Sequence, residues 1–383
     1  MIPYGRQHIS EEDIQAVVDV LRSDFLTQGP AVPQFESALA EYCGAKHAFA
    51  VNSATSALHI ACLALGLGAG DYLWTSPITF VASANCALYC GAQVDFVDID
   101  PATYTLCPKA LAEKLAIAER DGCLPKIVIP VHFAGQSCDM AAIRALADRY
   151  GFFIVEDASH AVGGRYLGHP IGGCQYSDIT VFSFHPVKII TTGEGGMALC
   201  QDDQLAERMR LLRSHGVTRE PHLMTHEPDG AWYYQQVALG WNYRMTDMQA
   251  ALGLSQLQNL DHFVQKRVAL AQRYDVLLAD LPVEIPWQHP ANDSAYHLYP
   301  IQLNTPKTTR RALFDWMREA GVGVNVHYIP VHLQPYFQKM GFQRGDFPIA
   351  EAYYDAALSL PLFPDLTGAQ QDAVCAALRR GVA

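Results

Sequence analysis

Stretches with apolar side chains at helical spacing alternate with short β-branched or aromatic runs through the first half of the chain. Apolar residues recurring three and four positions apart predict helices over 11–21, 32–42, 56–65, 81–90, 108–118, 141–150 and 205–212. Between them, near-continuous apolar runs predict strands over 48–51, 72–75, 93–97, 127–131, 152–156, 179–184 and 196–200. Strands apolar on both faces and separated by helices indicate a mostly parallel sheet buried between helical layers, so the expected fold class is α/β. After a long helical region, 245–281, the pattern changes to Tyr296-His297-Leu298-Tyr299-Pro300-Ile301, a helix over 308–320 and an extended run over 322–329. This predicts a smaller α+β lobe. Proline ends the preceding helix at Pro282, which divides the chain into a large domain, 1–281, and a small C-terminal domain, 282–383.

Half of the 383 residues are hydrophobic, enough for one large core and a smaller one. A net charge of −12 opposes a general nucleic-acid or anionic-membrane role, while leaving room for a local basic pocket that holds a small anion. The ten cysteines are scattered without a Cys-x-x-Cys pair, so no metal site is indicated. Cys86 and Cys90, four apart in an Ala/Leu-rich helical pattern, are expected to share a buried face. The N-terminus has no apolar signal segment and no run of about 18 apolar residues occurs, which points to the cytoplasm and away from the membrane.

The chemistry concentrates in three places. Lys188 sits between Val187 and Ile189 in a Ser-, Thr- and Gly-rich turn, 182–196, that follows an apolar run. An apolar setting lowers an amine's pKa and frees the neutral form that attacks a carbonyl, the condition for a Schiff-base lysine; the alternative is a snorkelling surface residue. Phe152-Phe153-Ile154-Val155-Glu156-Asp157 ends an apolar strand with two carboxylates, which projects Asp157 near the carboxyl edge of the sheet, where open α/β sheets bind ligands. There it either faces a cation, such as a protonated pyridine nitrogen, or caps the next helix. Asn52-Ser53-Ala54-Thr55-Ser56-Ala57-Leu58 follows a strand and opens an apolar helix, so it is either an anion site at a helix N-terminus or a simple cap. Lys188 lies 31 residues beyond Asp157 with one strand between them, so both can reach one pocket from neighbouring strand ends. Phe80 offers an aromatic face for stacking.

Taken in order, Leu26-Thr27-Gln28-Gly29-Pro30, the 52–58 segment, Pro77-Ile78-Thr79-Phe80, Glu156-Asp157-Ala158-Ser159-His160-Ala161, the 182–196 segment, Arg213-Ser214-His215-Gly216 and Gly240-Trp241-Asn242-Tyr243-Arg244-Met245 span essentially the whole chain. Together they resemble the DegT/DnrJ family of sugar aminotransferases, a fold-type I group dependent on pyridoxal 5′-phosphate. The resemblance implies that Lys188 anchors the cofactor, that Asp157 pairs with its ring nitrogen and that Phe80 stacks on the ring. It further implies phosphate contacts from Thr55, Ser56 and Ser183, and from Asn242 across the interface of a homodimer with shared active sites. His160, where much of the family has glutamine, is placed beside a cofactor oxygen. Thr27, Gln28, His327 and Tyr328 are candidate sugar-nucleotide contacts. Within the family, the 53–58, 159–161, 255–257 and 326–331 segments are most similar to enzymes that aminate C4 of a UDP-linked 4-keto-6-deoxy-N-acetylated hexose on the way to pseudaminic acid, with an amino acid such as L-glutamate as donor. The alternatives are C3 or C4 transamination of another UDP-, dTDP- or GDP-keto sugar, and a non-catalytic regulatory or binding protein on the same scaffold. Retention of both Lys188 and Asp157 argues against the last.

Overall fold

The computed structural model describes all 383 residues. Helix α1, Glu11–Leu21, begins at a reciprocal cap: Ser10 accepts from the Asp13 N–H while Asp13 accepts from the Ser10 N–H. Helix α2, Ala31–Cys43, stops at Gly44, whose left-handed φ of 75° suits glycine. Strand β1, His47–Val51, leads into α3, Ala54–Ala64, and β2, Tyr72–Thr75, leads into α4, Ala82–Tyr89. There follow β3, Gln93–Phe96, α5, Pro108–Asp121, β4, Ile127–Ile129, α6, Met140–Tyr150, and β5, Phe153–Asp157. A two-residue hairpin, β6, Arg165–Tyr166, and β7, His169–Pro170, precedes β8, Ile179–Ser183, β9, Gly196–Cys200, and α7, Asp203–Leu212.

Seven of these strands form one sheet in the order β1-β9-β8-β5-β4-β2-β3. Strands β3, β2, β4, β5 and β8 pair in parallel, and only β9 runs against its neighbours. The sheet is therefore mostly parallel, as its doubly apolar strands require. One apolar core, with Phe49, Leu58, Ile129 and Val181, fills the face toward α3 and α4. Others, with Phe35, Phe182 and Phe184, or with Leu111, Val128 and Ile143, fill the opposite face. The carboxyl ends of β1, β8, β5, β4 and β2 converge with the start of β9 on one edge, where Val51 and Ser183 both lie opposite Gly196.

Beyond shifts of one to three residues at element ends, such as α3 starting at Ala54 and β5 running Phe153–Asp157, the sequence pattern and the structure differ in three places. Strand β4 stops at Ile129 because Pro130 has no N–H to continue the ladder. The 245–281 region is two helices, α8, Asp247–Leu257, and α9, Leu260–Leu277, broken at Gln258-Asn259. The 322–329 run forms no strand; isolated bridges hold it, Val322 beside Ile2 and Asn325 beside Ser359. Cys86 is buried in the first core and Cys90 packs partly buried against it.

The C-terminal part carries a three-stranded antiparallel sheet, Val283–Glu284, Tyr299–Leu303 and Ala357–Leu360, covered by helices Arg310–Glu319 and Gly368–Val382. Its core takes in Ala271 and Tyr274 of α9, with Ile2 packed against it. Arg267, buried in α9, donates to the carbonyls of His297 and Leu362 and so ties this lobe to α9. No helix is long and apolar enough to cross a membrane.

Candidate active site

A cleft of about 580 Å³ opens where the strand ends converge, and both Lys188 and Asp157 line it. A second cleft of about 550 Å³, walled by Glu36, Arg213 and Arg244, is as large but holds neither. Chemistry, not volume, singles out the first.

Each side chain is there for a local reason. Residues 184–195 form the loop between β8 and β9, closed at its neck by the Phe184 N–H donating to the Gly195 carbonyl. The threonines and glycines serve this turn: Thr191 Oγ1 donates to the Phe184 carbonyl and accepts from the Gly193 N–H, and Thr192 Oγ1 donates to the Glu194 carbonyl. Ile189 and Ile190 root the loop in the core, which leaves Lys188 to rise into the cleft. Burial lowers its amine to about 8, against the opposing attraction of Asp157. The neutral, nucleophilic fraction therefore grows as pH rises through about 8, where an ordinary lysine stays protonated.

Asp157 ends β5, one strand away from β8. Its Oδ2 accepts from Ser83 Oγ at 2.6 Å and its Oδ1 from the Ser159 N–H at 3.1 Å. Ser83 in turn meets Thr79 Oγ1 at 2.7 Å, so the α4 N-terminus orients the carboxylate. Glu156, one residue earlier, points to the other face and binds His132 at 2.6 Å, which fixes the strand end from behind.

Three imidazoles surround the amine. Burial first, and then Lys188, hold His160 well below its ordinary value; burial and the charge of the other basic groups do the same to His297, and His327 falls to about 3. All three are neutral at physiological pH, leaving Lys188 as the cationic group of the cleft interior. Phe80 lines the cleft with 60 % of its surface exposed, an uncovered aromatic face.

Thr55, Phe80, Asp157, His160, Ser183, Lys188, His327 and Tyr328 all line this cleft. Ser56 does not: its hydroxyl donates to Asn52 Oδ1 at 2.6 Å, and Ser53 takes the lining place. Thr27, Gln28 and Asn242 are exposed and lie outside this cleft of their own chain, Gln28 facing the second one. Sequence reasoning missed Ser83, His297 and Asn325. Thr79 and Ser83, four apart at a helix start, carry a readable signal; His297 and Asn325 come from the distant lobe and carry none.

Pyridoxal phosphate fits this donor set. Lys188 and Asp157 supply an amine and a carboxylate in one cleft, and in the first turn of α3, where Ser53 Oγ caps the Ser56 N–H, the Ala54 and Thr55 N–H groups have no helical acceptor, which suits a phosphate. Gly196 permits that arrangement, since a Cβ there would sit 2.5 Å from the Ala54 nitrogen. Gly196→Ala is expected to push the α3 start away and weaken cofactor binding about tenfold to thirtyfold, the loss of roughly 2 kcal/mol of helix-terminus stabilisation. Titration of the cofactor-free protein checks this; an unchanged affinity would contradict the cradle.

Residues 7–379 match the DegT/DnrJ/EryC1/StrS aminotransferase family. The chain belongs to this family. It is 42% identical to the spore coat polysaccharide biosynthesis protein SpsC of Bacillus subtilis, over 99% of this chain and 96% of the relative. Among solved structures, Helicobacter pylori PseC, an aminotransferase involved in the biosynthesis of pseudoaminic acid, aligns with a TM-score of 0.91 at 32% identity, covering 100% of this chain and 99% of that one. The PLP form of Spr1654 from Streptococcus pneumoniae aligns with a TM-score of 0.89 at 29% identity, covering 100% and 98%. As a member of the DegT/DnrJ family, the chain is a sugar aminotransferase that uses pyridoxal phosphate.

Proposed function

We propose that this aminotransferase moves an amino group from an amino acid, L-glutamate in the first instance, to the C4 keto group of UDP-4-keto-6-deoxy-L-AltNAc, a step of pseudaminic acid biosynthesis. The observation that carries the substrate reading is the likeness to PseC along the full length of both chains. When bound, pyridoxal phosphate supplies the aldehyde that takes up the amino group and the ring that spreads carbanion charge. Lys188 anchors it through Nζ. Once displaced, Lys188 Nζ accepts the donor's α-proton and returns a proton when the keto sugar takes the donor's place. Asp157 holds the ring nitrogen protonated, Phe80 covers one ring face, and Thr55, Ser56 and Ser183 belong to the phosphate end, with Ser56 acting through Asn52 and Ser53. Thr27, Gln28, His327 and Tyr328 are the sugar-nucleotide contacts of this reading. Residues 1–281 form the cofactor-holding domain and 282–383 the smaller one that closes the cleft.

The functional unit in this reading is a homodimer. Asn242 is exposed and does not line its own cleft, and the segment leading to it carries Trp232 at 71 % and Leu239 at 75 % exposure, apolar surface that one chain leaves uncovered. Asn242→Ala is expected to weaken cofactor affinity about tenfold, the loss of one hydrogen bond to a charged group. A cofactor titration that returns the wild-type value would remove the cross-subunit contact.

The substrate is tested by offering the cofactor-loaded protein a panel of UDP-, dTDP- and GDP-linked keto sugars with glutamate and identifying the product by mass and NMR. Amination of the UDP-linked 4-keto-6-deoxy-AltNAc is the expected result, and no turnover of it would overturn the substrate reading. The higher identity to SpsC favours a second reading, C3 or C4 amination of a keto sugar for a surface polysaccharide. The same panel separates the two.

A further inference from the structure

His160 occupies the place from which the resemblance assigns a contact to a cofactor oxygen, yet both of its ring nitrogens are already engaged within the protein. The Ala134 N–H points at Nδ1 at 3.3 Å, and Nε2 lies 3.0 Å from the Tyr328 hydroxyl. A backbone N–H can only donate, so Nδ1 carries no proton and accepts. The ring, neutral in this buried setting, therefore carries its one proton on Nε2 and donates it to Tyr328 Oη. This uses an acceptor position of the tyrosine oxygen and leaves the tyrosine's own proton free. That hydroxyl makes no other hydrogen bond within the protein.

The Ala134 N–H is held in place by a costly turn. Ala134 has φ of 59°, a left-handed conformation that a residue with a Cβ avoids. The turn is clamped from the other lobe, where the Leu298 N–H donates to the Ala134 carbonyl and the Ala295 N–H to the Gly135 carbonyl. A Cβ on Gly135 would meet the Tyr296 nitrogen at 2.6 Å, so the approach is close.

Sheet order indicates what the free hydroxyl proton faces. The anion-binding start of α3 follows β1, on the β9 side of β8 and β5, whereas Ala134 follows β4, on the other side of β5. In pyridoxal phosphate, the ring oxygen and the phosphate arm flank the aldehyde on opposite sides. With the phosphate at α3, the oxygen faces the β4 side, the side of Ala134 and His160.

We propose that Tyr328, not His160, donates the hydrogen bond to the ring oxygen of the cofactor, and that His160, its tautomer set by the Ala134 N–H, is a positioning residue for that hydroxyl. This rests on the reading that the cofactor lies between Lys188 and Asp157. A donor to this oxygen draws off electron density that would otherwise stabilise the protonated nitrogen of the lysine linkage, so it lowers the pH at which that proton leaves.

The test is a pH titration of the visible absorbance of the cofactor-loaded full chain, a readout that needs no substrate. The other groups that set this titration, Tyr4, Asp157, Lys188, His297 and His327 in the cleft and His185 with Glu194 in its lining loop, stay the same in every variant. Tyr328→Phe, which keeps the ring, is expected to raise the midpoint by about one pH unit or more. His160→Leu should raise it in the same direction. His160→Gln should leave it within a few tenths, because an amide can accept from Ala134 and donate to Tyr328. A wild-type midpoint in Tyr328→Phe would overturn the inference, as would a His160→Gln shift equal to that of His160→Leu. Covalent capture of the cofactor on a lysine other than Lys188 would instead defeat the underlying placement, so the two failures are distinguishable.

Discussion

Lys188→Ala is expected to abolish turnover, by at least about 10⁴-fold, because in the proposed mechanism one amine both anchors the cofactor and carries the proton. The fold should survive. Lys188 makes no side-chain hydrogen bond or ion pair in the chain, and its loop is closed by Phe184, Thr191 and Thr192 and rooted by Ile189 and Ile190. Removing a buried amine lowered to about 8 takes away a desolvation cost, so the variant should unfold no earlier than the wild type. The wild-type amine also predicts how loading depends on pH. Cofactor uptake by the cofactor-free protein should accelerate as pH rises and level off above about 8, the value at which Lys188 becomes neutral. Stopped-flow absorbance checks this, and uptake independent of pH between 6 and 9, roughly one to two units either side of that value, would contradict the assignment. Wild-type turnover in Lys188→Ala would contradict it outright.

Asp157→Asn should keep the cofactor but slow proton abstraction by roughly 10² to 10³-fold, the usual scale for losing one pre-positioned electrostatic partner. The amide oxygen can still accept from the Ser159 N–H, and the amide NH2 in place of Oδ2 can donate to Ser83 Oγ, whose own proton turns to Thr79 Oγ1, so the local geometry is expected to hold. What it cannot do is favour a proton on the ring nitrogen. The loss should therefore fall on the half-reaction rate constants with little change in cofactor affinity, and single-turnover kinetics with glutamate separates the two. Unchanged half-reaction rates would show that Asp157 is not the ring's partner.

Much of the fold was legible because it is written in local patterns. Helices α1 and α3 open at Ser10 and Ser53, caps whose hydroxyls accept from the first turn, and strands β2 and β9 begin and end where their apolar runs do. The loop carrying Lys188 was legible for the same reason, since its threonines satisfy the turn that presents the lysine. Other features depend on distant parts of the chain. The break at Gln258-Asn259 is marked by neither proline nor glycine, so periodicity runs through it. The 322–329 run looks like a strand, but its partners are single residues, Ile2 and Ser359, from opposite ends of the chain. The hydrogen-bond chain from Ala134 through His160 to Tyr328 joins three separate segments through a left-handed alanine, a conformation that alanine does not advertise.

The most direct test of the central claim is chemical capture. The protein loaded with pyridoxal phosphate is reduced with borohydride, digested, and its peptides are weighed. The cofactor mass is expected on the peptide containing Lys188 and on none of the other seven lysines. A label on any other lysine, or none at all on a protein that binds the cofactor, would contradict the assignment of Lys188 as its anchor.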